Sequence, residues 1–255
     1  MGDALAGGEL LVREHYVVEP LTPLWWFGIV FSVVLIAGLV WAVRATGEDG
    51  RNRLFYWMGV YVFVHFAVTQ LFLIFIDQSW TVVDSLPLHL CRLSFLFVGI
   101  LFLTRNQNAY DWCAYLAFPS GIHSILTPEF TQGMNPFMVY DFYFTHGILL
   151  AAPVMLSVAG MRPYRWSAAR VFLAINVILI FVFAFNLWSG ANYLYVNQKP
   201  MVDNPFLIGP WPWYILGVEL AAILHMAIMD ILFRIRPWQR WSAGRLSSQT
   251  NLGGK

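Results

Sequence analysis

Cysteine and histidine carry the most reactive side chains in this sequence, and both are scarce: two cysteines and six histidines in 255 residues. Cys91 stands in the run Ser85-Leu86-Pro87-Leu88-His89-Leu90-Cys91-Arg92. A thiolate is a strong nucleophile, but only a few per cent of an ordinary thiol is ionised at neutral pH. A base or a positive field must raise that fraction. On a helix His89 points to nearly the opposite side from Cys91, and Arg92 is a chain neighbour without a shared face. The better partner is a histidine from another helix at similar depth, and His146 and His123 both qualify. Cys113 reads as a small buried hydrophobe. His65, His225 and Gln70 read as polar links between helices.

The elements that must position these groups follow from composition. Apolar residues make up 59% of the chain and charged residues 11%, far from the balance of a soluble domain. That excludes intrinsic disorder, and two cysteines exclude a disulfide scaffold. A net charge of +1 gives no reason to expect nucleic acid. The sequence describes an all-α polytopic membrane protein.

A spanning helix needs about 20 mostly apolar residues. Leu24 to Val43, Leu54 to Ile76, Leu86 to Leu103, Phe137 to Gly160, Ala168 to Gly190 and Ile208 to Phe233 meet that need. Ala109 to Leu126 is weaker, holding Asp111, Pro119, Ser120, His123 and Ser124, and reads as a span packed against protein. Loop charge tests the count. Of 15 basic residues, 12 follow spans one, three, five and seven, whereas only Arg13 and Lys199 lie on the other side. The positive-inside rule then requires seven transmembrane helices, with the N-terminus outside and the C-terminus inside. Residues 1–23 form an extracytoplasmic segment, 24–236 the seven-helix domain, and 237–255 a flexible cytoplasmic tail.

With that topology the polar residues sort by depth. His89, Cys91 and Arg92 fall in the first two turns of span three, about 5 to 9 Å below its start at about 1.5 Å per residue. Ser85 is expected to cap that helix, with Pro87 in its first turn. Asp141 and His146 lie in the outer half of span five, and Asn186, Asn192 and Tyr193 at the outer end of span six. Span seven re-enters through Gly209-Pro210-Trp211-Pro212-Trp213-Tyr214 and carries Glu219 near its middle. Ionisable groups at membrane depth are costly and mark function. The pattern predicts a polar cavity open to the outer side.

These residues also carry a resemblance. The run Ser85 to Cys91 resembles the signature of the YwaF-like bacterial integral membrane proteins, related to animal transmembrane protein 164. Four further blocks follow in order: Thr127-Pro128-Glu129; Thr145-His146-Gly147; Asn186 to Gly190 with Asn192, Tyr193, Lys199 and Pro200; and Gly209 to Tyr214 with Glu219. The resemblance covers span two to span seven. It implies an acyltransferase moving a fatty acyl chain between phospholipids, with Cys91 and His146 doing the chemistry. Position 123 is often an amide in relatives, which argues against an essential His123.

The resulting expectation is a Cys-His transacylase of the cell membrane, acting on phospholipid and lysophospholipid within membrane lipid and needing no cofactor or metal. Cys91 forms a thioester and His146 moves the proton. Arg92 or Lys199 holds phosphate; Asn186, Asn192 or Tyr193 donates to the oxyanion; Glu219 orients His146 or locks span seven; and His89, His123, Asp141 and Trp213 support the site. Two rivals use the same cavity. A transporter or channel would need polar groups continuing to the inner face, and only His65, His225 and Asp230 are there. A zinc hydrolase would use His89, His123, His146 and Cys91, without any HExxH spacing.

Overall fold

The structure is a computed structural model, described for residues 16–131, 133–200 and 207–235. It is mostly helical. Helix α1 spans Pro23–Ala45, α2 Glu48–Phe75, α3 Leu90–Thr104, α4 Gln107–Trp112 and α5 Phe118–Leu126. Helices α6 (Pro136–Val158), α7 (Ser167–Ser189) and α8 (Trp213–Ile235) complete the bundle. A π-helical turn, Cys113–Ala117, joins α4 to α5 without a break. Among the described residues five helices, α1, α2, α6, α7 and α8, are long and apolar enough to cross a membrane. Helix α3 has 15 residues, shorter than the span expected from Leu86. The expected tail 237–255 and the first 15 residues lie outside the described residues.

Local chemistry sets the helix ends. Asn135 accepts from the Met138 amide and Pro136 opens α6, while Asn106 accepts from the Asn108 and Ala109 amides at the start of α4. Each such cap is worth about 1 kcal/mol. Gly190 takes the left-handed conformation that ends α7. The weak fourth segment is buried as its composition implies, with all five residues of the π turn buried. Helix α6 is the central post. Its apolar window is 83% buried, against 11–28% for the four other long helices.

Close approach to that post depends on small residues. A Cβ on Gly28 of α1 would lie 1.9 Å from the Tyr143 ring of α6, so only glycine lets the two helices meet there. Gly121 of α5 brings its backbone against the His146 carbonyl, where a Cβ would stand 3.1 Å away. Above α1, Tyr16–Val17 (β1) pairs antiparallel with Glu129–Phe130 (β2). Trp25 Nε1 donates to the Leu126 carbonyl at 2.8 Å. The chain before α1 is thereby fastened over the α5–α6 loop.

Candidate active site

A cavity of about 530 Å³ runs from the loops at this same end of the bundle down to Tyr115 and His225. Ser85, Leu86, Thr127, Glu129 and Leu194 line it at the loop end, and Leu90, Leu116, Phe142 and Leu179 give it apolar walls. Its size suits a small-molecule ligand or part of a larger one. Cys91, Arg92, His123, Thr145, His146 and Glu219 also line it.

Cys91 is better placed than its sequence position suggests. The expected helix from Leu86, capped by Ser85, is replaced by a turn: Leu88 N donates to Leu86 O, and Ser85 Oγ accepts from Thr81 N. The Tyr193 hydroxyl accepts from Leu86 N and donates to Val82 O, pinning this turn from 107 residues away. Burial pushes the Tyr193 phenol up to about 12, so it stays a neutral donor. Helix α3 therefore starts at Leu90 with His89 as N-cap and no side-chain cap. Cys91 is its second residue, inside the first turn, where amides lack intrahelical acceptors and the dipole is positive.

Two other helices reach the thiol. Cys91 Sγ lies 3.5 Å from Ser124 Oγ of α5, and His146 of α6 and Ser120 of α5 line the same cavity within electrostatic reach of the thiol. His146 Nδ1 lies 2.7 Å from the Phe142 carbonyl, and its ring packs against Phe142, tilted by 42° with centroids 4.2 Å apart. A carbonyl only accepts, so Nδ1 carries the proton and Nε2 is left as the basic nitrogen. Ser120 and Ser124, one turn apart on the face of α5 that carries His123, were read from the sequence only as polar residues of a weak span; their i, i+4 spacing was the available signal for the site.

Arg92 is not a free surface cation. Its guanidinium grips Asp141 of α6 at 2.5 and 3.2 Å, and Asp141 also accepts from His65 Nε2 and Thr69 Oγ1, each at 2.9 Å. Asp141 is 1% exposed, whereas the Arg92 side chain keeps 21%. The network ties α2, α3 and α6 together immediately beside Cys91. His65 is thus the interhelical link expected of it.

The remaining expected residues divide. His89 packs on Tyr193 and Tyr195 at the rim. His123 Nε2 lies 2.8 Å from His225 Nε2 on α8. His225 Nδ1 is committed to the Ala221 carbonyl, so His123 donates in that pair. Glu219 accepts from Asn176 of α7 at 3.3 Å, which locks α8 to α7 and is not an orientation of His146. Asn186, Asn192 and Tyr193 are not in the cavity wall. Asn186 bonds Tyr193 and Asn197, and Asn192 holds Gln198, so they shape the loop after α7 and offer nothing to an oxyanion. Lys199 donates to the Leu207 carbonyl over the Tyr214 ring and does not line the cavity. Trp213 is exposed at the start of α8. Among the described residues, His89, His123, His146 and Cys91 do not converge as a metal-holding group.

A family model then decides the relationship. The model of the TMEM164 family matches residues 14–230, from before α1 to near the end of α8. The chain belongs to the TMEM164 family. Its apolar helices and this membership make it a multi-pass membrane protein. The match takes in Cys91, His146 and the Arg92–Asp141 pair, so the whole cavity lies within the TMEM164-family region. None of the curated proteins and none of the solved structures matches this TMEM164-family chain.

Proposed function

We propose that this protein is a seven-span acyltransferase with its N-terminus outside and its C-terminus inside, moving a fatty acyl chain between phospholipids. The observation that carries the reading is the meeting of Cys91, His146 and Ser124, from three helices, on the wall of a largely apolar cavity. α3 and the α4–α5 rod, short or interrupted, make the two further crossings that the loop charge requires.

The chemistry runs through two half-reactions. His146 Nε2 accepts the thiol proton as Cys91 Sγ bonds the ester carbonyl carbon of a phospholipid. The carbon–oxygen bond breaks, and His146 returns the proton to the departing lysophospholipid alkoxide. The hydroxyl of a second lysophospholipid then gives its proton to His146 and attacks the thioester. The carbon–sulfur bond breaks, and the thiolate regains its proton. Arg92, pre-set by Asp141, supplies a charge-assisted contact to the lipid phosphate. The apolar walls around the thioester exclude the water that would hydrolyse it.

The test is direct. Purified protein incubated with phospholipid is expected to carry an acyl mass on the Cys91 peptide that hydroxylamine removes, and Cys91→Ser, whose ester resists hydroxylamine, to lose the labile adduct. If wild-type protein never gains the adduct and Cys91→Ala leaves cellular lipid composition unchanged, the reading is wrong.

A further inference from the structure

Resting on the acyl-transfer reading, we infer that the first-turn amides of α3 and the Thr145 hydroxyl form the pocket that holds the carbonyl oxygen as it becomes an oxyanion. Two independent observations meet here. The first is the start of α3 at Leu90, which leaves the amides of Leu90, Cys91 and Arg92 without intrahelical acceptors and without a side-chain cap. An amide beside the nucleophile and at the positive end of a helix is where an acyl-transfer site gathers its donors.

The second is Thr145. Most hydroxyls within these helices find a partner, either a carbonyl of their own helix (Thr104 to Ile100, Ser120 to Ala117, Ser189 to Phe185) or a side chain of a neighbouring helix (Thr69 to Asp141, Ser167 to Asp111). Thr145 does not. It is 2% exposed, its Oγ1 has no hydrogen-bond partner, and it lines the cavity. It stands between Asp141, which holds Arg92, and His146, which meets Cys91. A buried hydroxyl lacking a partner is held ready for one that arrives. Ser32 also has an unpartnered hydroxyl, but it is on α1 outside the cavity wall.

In each half-reaction Cys91 sulfur is bonded to the acyl carbon in the tetrahedral intermediate, and the former carbonyl oxygen carries the negative charge. Amides and the Thr145 hydroxyl donate to that oxygen. When the intermediate collapses, the electron pair returns to re-form the carbonyl and the leaving group departs.

The experiment compares two reactions of the same thiol in full-length protein. The p-nitrophenyl ester of a fatty acid acylates Cys91 through an oxyanion, whereas iodoacetamide alkylates it by direct displacement with no oxyanion at all. Thr145→Val is expected to slow acylation about a hundredfold and leave alkylation unchanged, and Thr145→Ser to restore acylation. Unchanged acylation in Thr145→Val overturns the inference. So does a parallel fall in alkylation, which would place Thr145 in thiol activation or in folding, and so does a failure of Thr145→Ser to rescue. Wild-type protein that alkylates at Cys91 yet is acylated neither by the ester nor by phospholipid would sink the acyl-transfer reading first, and this inference with it.

Discussion

Two buried aspartates hold the two ends of the bundle by nearly the same chemistry. Asp141 accepts from an arginine, a histidine and a threonine, joining α2, α3 and α6. Asp111 accepts from Ser167 Oγ at 2.5 Å, Gln107 Nε2 at 2.7 Å and Arg170 at 3.1 Å, joining α4 to α7. Both carboxylates are almost wholly buried, at 1% and 3% side-chain exposure. Only Asp141 and its arginine line the cavity. Buried charge therefore does not distinguish a site from a fastening in this protein; the cavity beside it does. The same holds for sulfur, since Cys91 faces the cavity and Cys113 lies sealed in the core.

The largest expected difference between the two ends is in turnover. Cys91→Ala abolishes acyl transfer in a lipid assay, whereas Cys113→Ala keeps turnover within about twofold, because it removes only one sulfur from the core. Loss of transfer in both variants would erase the functional division between the ends.

Next comes the cost of breaking each ion pair. Removing one partner of a buried pair leaves the other charge uncompensated and costs about 3–5 kcal/mol. Asp141→Asn should lower thermal stability by an amount of that order, and Asp111→Asn by less, because the arginine it leaves behind is 52% exposed. Among molecules still folded, only Asp141→Asn should raise KM for phospholipid, because it frees Arg92. An equal rise in Asp111→Asn would show that the far network reaches the cavity. Replacing both Arg92 and Asp141 with apolar residues is expected to recover much of the stability while leaving KM raised.

The sequence made the long apolar helices legible, because twenty apolar residues have few other solutions, and it put Cys91, His146, Arg92 and Asp141 at one level. It did not pair Arg92 with Asp141, since depth along a helix says nothing about rotation around it. The start of α3 was misread for a related reason. Leu86-Pro87-Leu88 is as apolar as a helix and has Pro87 where a first turn tolerates it, yet Tyr193 holds it as a turn from across the chain. Depth alone likewise offered Asn186, Asn192 and Tyr193 to the oxyanion, when their hydrogen bonds build the loop after α7. Local pattern records periodicity, and these contacts are 6 to 111 residues long.

A smaller effect separates the hydroxyls. Thr69→Val and Ser167→Ala each remove one donor from a charged acceptor, worth about 1.5–3 kcal/mol. Asp141 keeps three other hydrogen bonds, two of them from Arg92, whereas Asp111 loses its shortest contact. Thermal unfolding should therefore show the greater loss in Ser167→Ala. The reverse order would mean that Thr69 matters for packing against α6 and not for its hydrogen bond.

The smallest effect belongs to Arg170, and it tests what exposure does to an otherwise similar pair. Its side chain is 52% exposed and reaches Asp111 through one nitrogen, while Arg92 is 21% exposed and grips Asp141 with two. Water screens the first pair and competes for it, so Arg170→Met should cost no more than about 1 kcal/mol. That cost should shrink further as salt is added. Asp111 retains Ser167 and Gln107, which keep its carboxylate solvated inside the bundle after the arginine is gone. Arg92→Met has no such relief, because it takes two charge-assisted bonds from a carboxylate that is 1% exposed, and the lost arginine was itself 21% exposed and little screened by water. Salt titration of the two variants separates the cases: a small, salt-sensitive loss for Arg170→Met and a large, salt-insensitive one for Arg92→Met. Equal losses would mean that the protein around Asp111 is as dry as the protein around Asp141, and that the far end is sealed by its ion pair and not by the hydroxyl and amide beneath it.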